Sequence, residues 1–183
     1  MKKFFIYTVF SLLLFISFNV NIVQAQNSPV MPVDKVTKLI TYQQVVQVEG
    51  KKDELYIRGI GWVNKEFKNP EDVTNVRDRN NGVIKGISRF RIKYTEDEVN
   101  MNAGTIEYTF ILEFKDGRYR YTFTDFLLKD VSRQGIEMWL NKQDPAYNPR
   151  WDQYLTQVDE YVRKKIESLR ESMKPPVVKD ENW

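Results

Sequence analysis

The stretch Ile106-Glu107-Tyr108-Thr109-Phe110-Ile111-Leu112-Glu113-Phe114-Lys115-Asp116-Gly117-Arg118-Tyr119-Arg120-Tyr121-Thr122-Phe123 decides the fold. Ile106, Tyr108, Phe110, Leu112 and Phe114 alternate with Glu107, Thr109, Ile111 and Glu113. That is the period of a strand that buries one face. Asp116-Gly117 is a hairpin dipeptide, and a two-residue type I′ loop there sets Phe114 opposite Tyr119, Leu112 opposite Tyr121 and Phe110 opposite Phe123. Glu113 then faces Arg120 on the other side. A three-residue loop would place Phe114 opposite Arg118 and mix the faces. One aromatic face of the hairpin is therefore expected to lie under a helix.

Such a helix is predicted downstream. Trp151, Leu155, Val158, Val162, Ile166, Leu169 and Met173 recur at spacings of three and four, one continuous apolar stripe. It occupies residues 151–174, and Pro175-Pro176 opens a tail over 175–183. Residues 129–150 read as a connecting loop holding Pro145 and Pro149, with Ile136, Trp139 and Leu140 marking a short ordered stretch.

Upstream, residues 26–36 form an extended lead-in containing Pro29 and Pro32. Leu39–Val48 is rich in Val, Ile, Thr and Tyr and reads as a strand. Asp53 and Glu54 open a helix, where acidic groups suit the N-terminal dipole. Its apolar face is Leu55, Trp62, Val63 and Phe67, and Asn69-Pro70 closes it. Gly59 and Gly61 weaken it by about 1 kcal/mol each relative to Ala, and small residues there let a helix lie close on a sheet. Val73–Arg79 is a weaker strand, Asn80-Asn81-Gly82 a turn, and Val83–Tyr94 a strand with a bend at Gly86. Thr95–Asn102 reads as a polar, acidic loop. The order β-α-β-β-β-β-α gives an α+β fold, an antiparallel sheet with helices packed on one face. The other face carries Thr, Arg, Glu and Ile111 and is either solvated or used for binding.

Residues 1–25 have the pattern of a secretory signal peptide: Lys2 and Lys3, an apolar run from Phe4 to Phe18, and Val23-Gln24-Ala25 as a cleavage site before Gln26. The competing reading is an uncleaved anchor, but the run is short for a spanning helix and ends in Asn19 and Asn21. An extracytoplasmic location, periplasmic or secreted, follows as the expectation. Removing 25 residues from 183 leaves 158, a length suited to one domain. Losing Lys2 and Lys3 reduces the net charge from +3 to about +1, so no general attraction to nucleic acid is expected. No transmembrane segment is expected after cleavage.

The chain has no Cys and no His. Disulfides and a lipid-bearing cysteine are excluded, and the usual zinc, copper and haem ligand sets cannot be assembled. Serine–histidine and cysteine–histidine nucleophiles are excluded as well. No cofactor is expected.

The blocks Met31-Pro32-Val33-Asp34, Ile40-Thr41-Tyr42 with Val45-Val46-Gln47-Val48, Lys52-Asp53-Glu54-Leu55-Tyr56 with Trp62 and Phe67, and Lys115-Asp116-Gly117-Arg118-Tyr119-Arg120-Tyr121-Thr122 through Asp125-Phe126 together resemble the DUF4468 family of exported bacterial proteins. The resemblance covers about Met31 to Leu128. It departs from the pattern at Gly59, where Ala is expected. It implies a TBP-like curved sheet over residues 37–128 and no activity, since the family has none assigned. TBP reads DNA with such a sheet, but a shared fold does not carry that function here.

Four motifs bear on function. Asp78-Arg79-Asn80-Asn81-Gly82 has the start of a calcium loop, but its Gly is one position early and Arg89 stands where the bidentate Glu belongs. Gly82 to Gly86 with Lys85 lacks the spacing of a phosphate loop. Arg89, Arg91 and Lys93 alternate with Phe90, Ile92 and Tyr94, and with Arg118 and Arg120 they form a candidate binding face for anionic glycan or lipid headgroups. The bland alternative is a solvated face balanced by Glu107 and Glu113. Asp125, Asp130 and Glu137 are candidate carboxylates for a hydrolase. The favoured function is a non-catalytic exported module binding a protein or cell-envelope component. The alternatives are a small-molecule or lipid carrier, with a pocket between the sheet and helix 151–174, and a carboxylate-based hydrolase. Self-association through the helical stripe leaves a homodimer open.

Overall fold

The computed structural model describes residues 29–96, 99–129 and 133–176. The expected signal peptide and cleavage site, Asp130 and residues 177–183 lie outside the described residues. Strand β1 (Tyr42–Gln47) leads into helix α1 (Lys52–Glu66) and a short helix α2 (Pro70–Val73). Then come β2 (Thr74–Asp78), β3 (Val83–Glu96), β4 (Val99–Lys115), β5 (Arg118–Lys129) and β6 (Arg133–Gly135). A 3-10 turn at Ile136–Leu140 precedes helix α3 (Arg150–Ser172). The sheet is antiparallel in the order β1-β5-β4-β3-β2, with β6 beside the far end of β5. No helix among the described residues is long and apolar enough to cross a membrane.

The central hairpin has the expected pairs: Phe114 with Tyr119, Leu112 with Tyr121, Phe110 with Phe123 and Glu113 with Arg120. Its loop is two residues long but not type I′. Gly117 has φ 72°, whereas Asp116 is not among the non-glycine residues with positive φ, and a negative-then-positive pair is the signature of type II. Tertiary contacts hold this turn. The Lys52 N–H donates to Asp116 Oδ1 at 2.7 Å, and the Gly117 N–H donates to the Gly50 carbonyl at 2.9 Å. Asp116 thus serves the first turn of α1, where backbone donors lack helical partners.

Helices α1 and α3 cover the aromatic face. Leu55, Trp62 and Val63 from α1 and Val158, Val162 and Leu169 from α3 are fully buried against Ile84, Ile92, Phe110, Leu112 and Phe123. Trp62 meets Phe67 and Phe110 edge-on, and Phe67 stacks on Phe110 at 5.2 Å. One polar group interrupts the stripe of α3. Buried Asp159 accepts from the Tyr42 hydroxyl and from Arg163 Nε, both at 2.7 Å. Burial, then the Asp159 hydrogen bond, push the Tyr42 hydroxyl far above its ordinary pKa.

Three further expectations change. Thr95–Asn102 is not a loop: Thr95 pairs with Asn100 and Glu96 with Val99, so β3 and β4 run on as a long hairpin. Most of its side chains there are exposed, which removes the apolar alternation that marks a strand. β1 begins at Tyr42 rather than Leu39, because Ile40 bridges back to Val33. Within 129–150, Lys129 ends β5 and Arg133–Gly135 forms β6, while the expected ordered stretch at Ile136, Trp139 and Leu140 is the 3-10 turn, with Ile136 and Trp139 buried. At Gly86 the β3–β4 pairing is continuous and the irregularity falls on β2 opposite, between Thr74 and Val76; a Cβ on Gly86 would lie 2.2 Å from the Val73 carbonyl oxygen and 2.4 Å from Phe110 Cζ.

Candidate binding face of the sheet

The face turned away from the helices presents its side chains in cross-strand rows. Val83, Glu113, Arg120 and Val45 form one row, and Lys85, Ile111, Thr122 and Gln43 the next. Further along, Arg89 stands beside Glu107, and Lys129 beside Arg133. Glu107 is 4% exposed although it sits on this open face. Arg89 Nε donates to Glu107 Oε2 at 2.7 Å, Arg133 Nη2 to Oε1 at 2.5 Å, and Lys129 Nζ stands 3.7 Å from Oε2. Burial alone would raise the Glu107 pKa. The Arg89 hydrogen bond and the charges of Arg133, Arg89 and Lys129 outweigh it and hold the carboxyl below its usual range. One carboxylate thus offsets one of three cations.

A bulge builds the neighbouring depression. Glu107 pairs with Leu127 and Thr109 with Thr124, so Tyr108 faces both Asp125 and Phe126. Asp125 takes the extra position with φ 55°, an αL conformation that Asp tolerates better than most residues. The extra residue shifts the inward positions of β5 from odd to even numbers. Tyr119, Tyr121 and Phe123 point inward before it, and Phe126 points inward after it. Above the bulge lies a depression of about 290 Å³ lined by Leu39, Ile87, Glu107, Thr109, Asp125, Leu127, Arg133 and Glu137, among others.

The expected site residues separate into two groups. Arg89, Arg91 and Lys93 lie along one side of β3, near Lys129 and Arg133. Arg118 and Arg120 lie at the opposite end of β5; the Arg120 row is six residues along the ladder from the Arg89 row, or about 20 Å, and Arg118 is two residues further. Arg120 is bound twice by Glu113, at 2.6 and 2.7 Å. That bond raises the Arg120 pKa further, and the pair presents no net charge. Lys129 and Arg133 belong to the cluster but fall in the stretch read as connecting loop. β6 is three residues long, too short to show a period.

Asp125 and Glu137 share the depression, but Glu137 Oε1 accepts the Ile40 N–H at 2.9 Å. The Asp78 carboxylate is engaged by the Asn81 backbone and side-chain amides at 2.9 and 2.7 Å, closing the hairpin turn rather than a cation loop. Among the described residues no cluster of three acidic groups could hold a metal. The layer between α3 and the sheet is filled by Leu155, Val158, Val162, Ile166 and Leu169, each at most 8% exposed. The cavity beside α3 is instead an open groove of about 620 Å³ at the edge of β1, lined by Gln43, Gln44, Tyr121, Arg163, Glu167 and Arg170, among others.

Two solved structures share this architecture. A DUF4468 family protein from Bacteroides ovatus ATCC 8483 superposes with TM-score 0.65 at 14% identity, over 83% of this chain and 96% of that one. A TBP-like protein from Parabacteroides distasonis ATCC 8503 superposes with TM-score 0.58 at 16% identity, over 74% and 92%. At these identities the likeness is one of fold alone. No curated protein matches the chain. The family model of the domain of unknown function with TBP-like fold matches residues 42–129, from the start of β1 to the end of β5. By that match, residues 42–129 form a DUF4468 domain, and the antiparallel sheet has the fold of the solved family structure.

Proposed function

We propose that the protein is an exported, non-catalytic binding module that holds an anionic component of the cell envelope on the open face of its sheet, at the end bearing Arg89, Lys129 and Arg133. The observation that carries this reading is the buried Glu107 carboxylate, which fixes three cations in place while neutralising one. Such a cluster is pre-organised, so a carboxylate, sulfate or phosphate loses little side-chain freedom when it binds there. Arg91 and Lys93 extend the positive surface along β3. The non-catalytic reading rests on Glu107 being held ionised, with no proton to donate, and on Glu137 being tied to the Ile40 amide. Export rests on the leader pattern of residues 1–25.

Dextran sulfate coupled to a column tests the site. The exported protein is expected to bind at low salt and to elute as ionic strength rises. The double variant Arg89→Glu with Arg133→Glu is expected to pass through unretained, and Arg118→Glu to behave as the parent does. Equal loss in both variants would show a general charge effect and refute the site. Sequencing the N-terminus of the exported protein is expected to begin at Gln26.

A further inference from the structure

We propose that the free edge of β1 is a homodimer interface, on which a second copy of this chain adds its own β1 antiparallel about a two-fold axis through Val45. The hydrogen-bond directions along β1 define the edge. The Val48 N–H donates inward to the Gly117 carbonyl at 3.0 Å, and the Thr41 N–H donates outward to the Pro32 carbonyl at 2.8 Å. Alternation along an antiparallel ladder then turns the N–H and C=O of Gln43, Val45 and Gln47 outward. Among the described residues no strand lies beyond β1 at these positions.

The opposite edge of the sheet, formed by β2 and by β3 beyond it, is protected. β2 is five residues long, carries Arg77 and Asp78, and is irregular between Thr74 and Val76. Where β3 runs past β2, the Gln157 amide takes the place of a strand. The Lys93 N–H donates to Gln157 Oε1 at 2.9 Å, and Gln157 Nε2 donates to the Lys93 carbonyl at 2.8 Å. β1 reads Tyr42-Gln-Gln-Val-Val-Gln47, with no charge, proline or bulge. An edge without these devices is a template for another strand.

The sequence of the edge selects a second copy as the occupant. The free stretch is symmetric as Gln-x-Val-x-Gln about Val45. A two-fold axis there pairs Val45 with its counterpart and Gln43 with the Gln47 of the second copy, all on the open face. Each outward residue meets another outward residue, giving about six backbone hydrogen bonds. Val45 is 50% exposed in the single chain, and the contact would cover it. On the helix side, the rim of α3 above the edge carries Arg163, Glu167, Arg170 and Glu171. Two-fold symmetry sets the arginines of one copy toward the glutamates of the other, in the groove between α3 and β1.

The absence of cysteine supplies a direct test. Directly opposed residues in a hydrogen-bonded antiparallel pair have Cα atoms about 5.5 Å apart, within disulfide range. Val45→Cys in the exported protein is expected to give a covalent dimer under mild oxidation. Lys85→Cys, on the same face but away from the edge, is expected to stay a single chain. Sedimentation of the unmodified protein is expected to give twice the single-chain mass. Val45→Pro removes only an outward N–H and is expected to weaken the dimer at least roughly tenfold with an unchanged circular dichroism spectrum. Single-chain mass at every concentration would overturn the proposal, as would a dimer indifferent to Val45→Pro or equal cross-linking at positions 45 and 85. Addition of a foreign strand-forming peptide to a single-chain protein would assign the edge to a different partner and overturn it too.

Discussion

A Cβ on Gly59 would lie 2.4 Å from Cζ of Phe114, inside any permitted contact. The helix lies this close to β4 only because position 59 has no side chain. Gly61, two residues on, faces solvent, and a Cβ added there would meet nothing within 4 Å. The two glycines should therefore respond oppositely to alanine. Gly61→Ala should stabilise the protein by about 0.5–1 kcal/mol through helix propensity. Gly59→Ala should lose about 1–3 kcal/mol, because the overpacking exceeds the same propensity gain. Urea unfolding of both variants checks this, and stabilisation of both would show that Phe114 yields freely.

The two faces of the hairpin should differ as sharply. Phe110 is fully buried, stacked on Phe67 and edge-on to Trp62. Phe110→Ala should cost about 3–5 kcal/mol. Exchanging Glu113 and Arg120, a pair open to solvent on the other face, should change stability by about 0.5 kcal/mol or less. Equal small effects would mean that the aromatic face is not the core.

These contrasts also mark what the sequence revealed. The β4–β5 register followed from strict alternation between a Gly-containing turn and a run of aromatics, because a one-residue slip would have turned Phe114 toward solvent. The α3 stripe was legible for the same reason. The outer β3–β4 hairpin was not, since uncovered strands need no apolar period. The bulge at Asp125 was hidden because Asp-Phe-Leu-Leu fits either phase until Tyr108 is seen opposite two residues. Arg89 was identifiable as a basic strand residue, but its partners Lys129 and Arg133 depended on β6, whose pairing is purely tertiary.

The pH dependence follows from three carboxyls and from the phenols raised by burial, Tyr42, Tyr108 and Tyr119 foremost. Asp34, Asp78 and Glu107 have lowered pKa values in the folded protein: the first two through local amide hydrogen bonds, and Glu107 through its cations, which outweigh burial. Lowered carboxyl values mean that their stabilisation is complete above the unfolded values, 3.8 for Asp and 4.5 for Glu, and is lost as pH falls through the folded ones. Tyr42, Tyr108 and Tyr119 are raised chiefly by burial, Tyr119 to about 12. Their contribution is complete below pH 10 and is lost as pH rises above it. With no histidine in the chain, the melting temperature should be flat from about pH 6 to 9 and fall on both sides. A step near neutrality would contradict this.

Glu107→Gln separates stability from binding. The neutral amide leaves Arg89, Lys129 and Arg133 without their counterion. These cations are about half exposed and can take up water, so the loss of stability should be modest, about 1–2 kcal/mol. The surface charge of the cluster rises by one, and the variant should elute from dextran sulfate at higher salt than the parent. A variant that loses both stability and retention would make Glu107 a positioning residue, needed to aim the cations rather than to limit their charge.

The bulge is open to a test by substitution, deletion and insertion. Asp125 occupies the extra position of β5 with φ 55°, so Asp125→Gly relieves a conformation that disfavours a side chain and should be neutral or stabilising by up to about 1 kcal/mol. Asp125→Val adds a β-branched side chain to the same conformation and should destabilise by about 1–2 kcal/mol. Removing the residue altogether joins outward Thr124 to inward Phe126, which restores plain alternation and leaves Tyr108 opposite Phe126 alone. Glu107 still meets Leu127, and Thr105 still meets Lys129. The deletion should therefore keep the fold and its retention on dextran sulfate, losing only the local bend and twist that the bulge supplies. Inserting one alanine between Leu127 and Leu128 does the reverse. It turns Lys129 to the helix side of the sheet and moves β6 off its register, so retention should fall. Loss of retention in the deletion variant would show that the bend at Asp125 is needed to aim Lys129 and Arg133 at Glu107, and that the pairing register alone does not build the cluster.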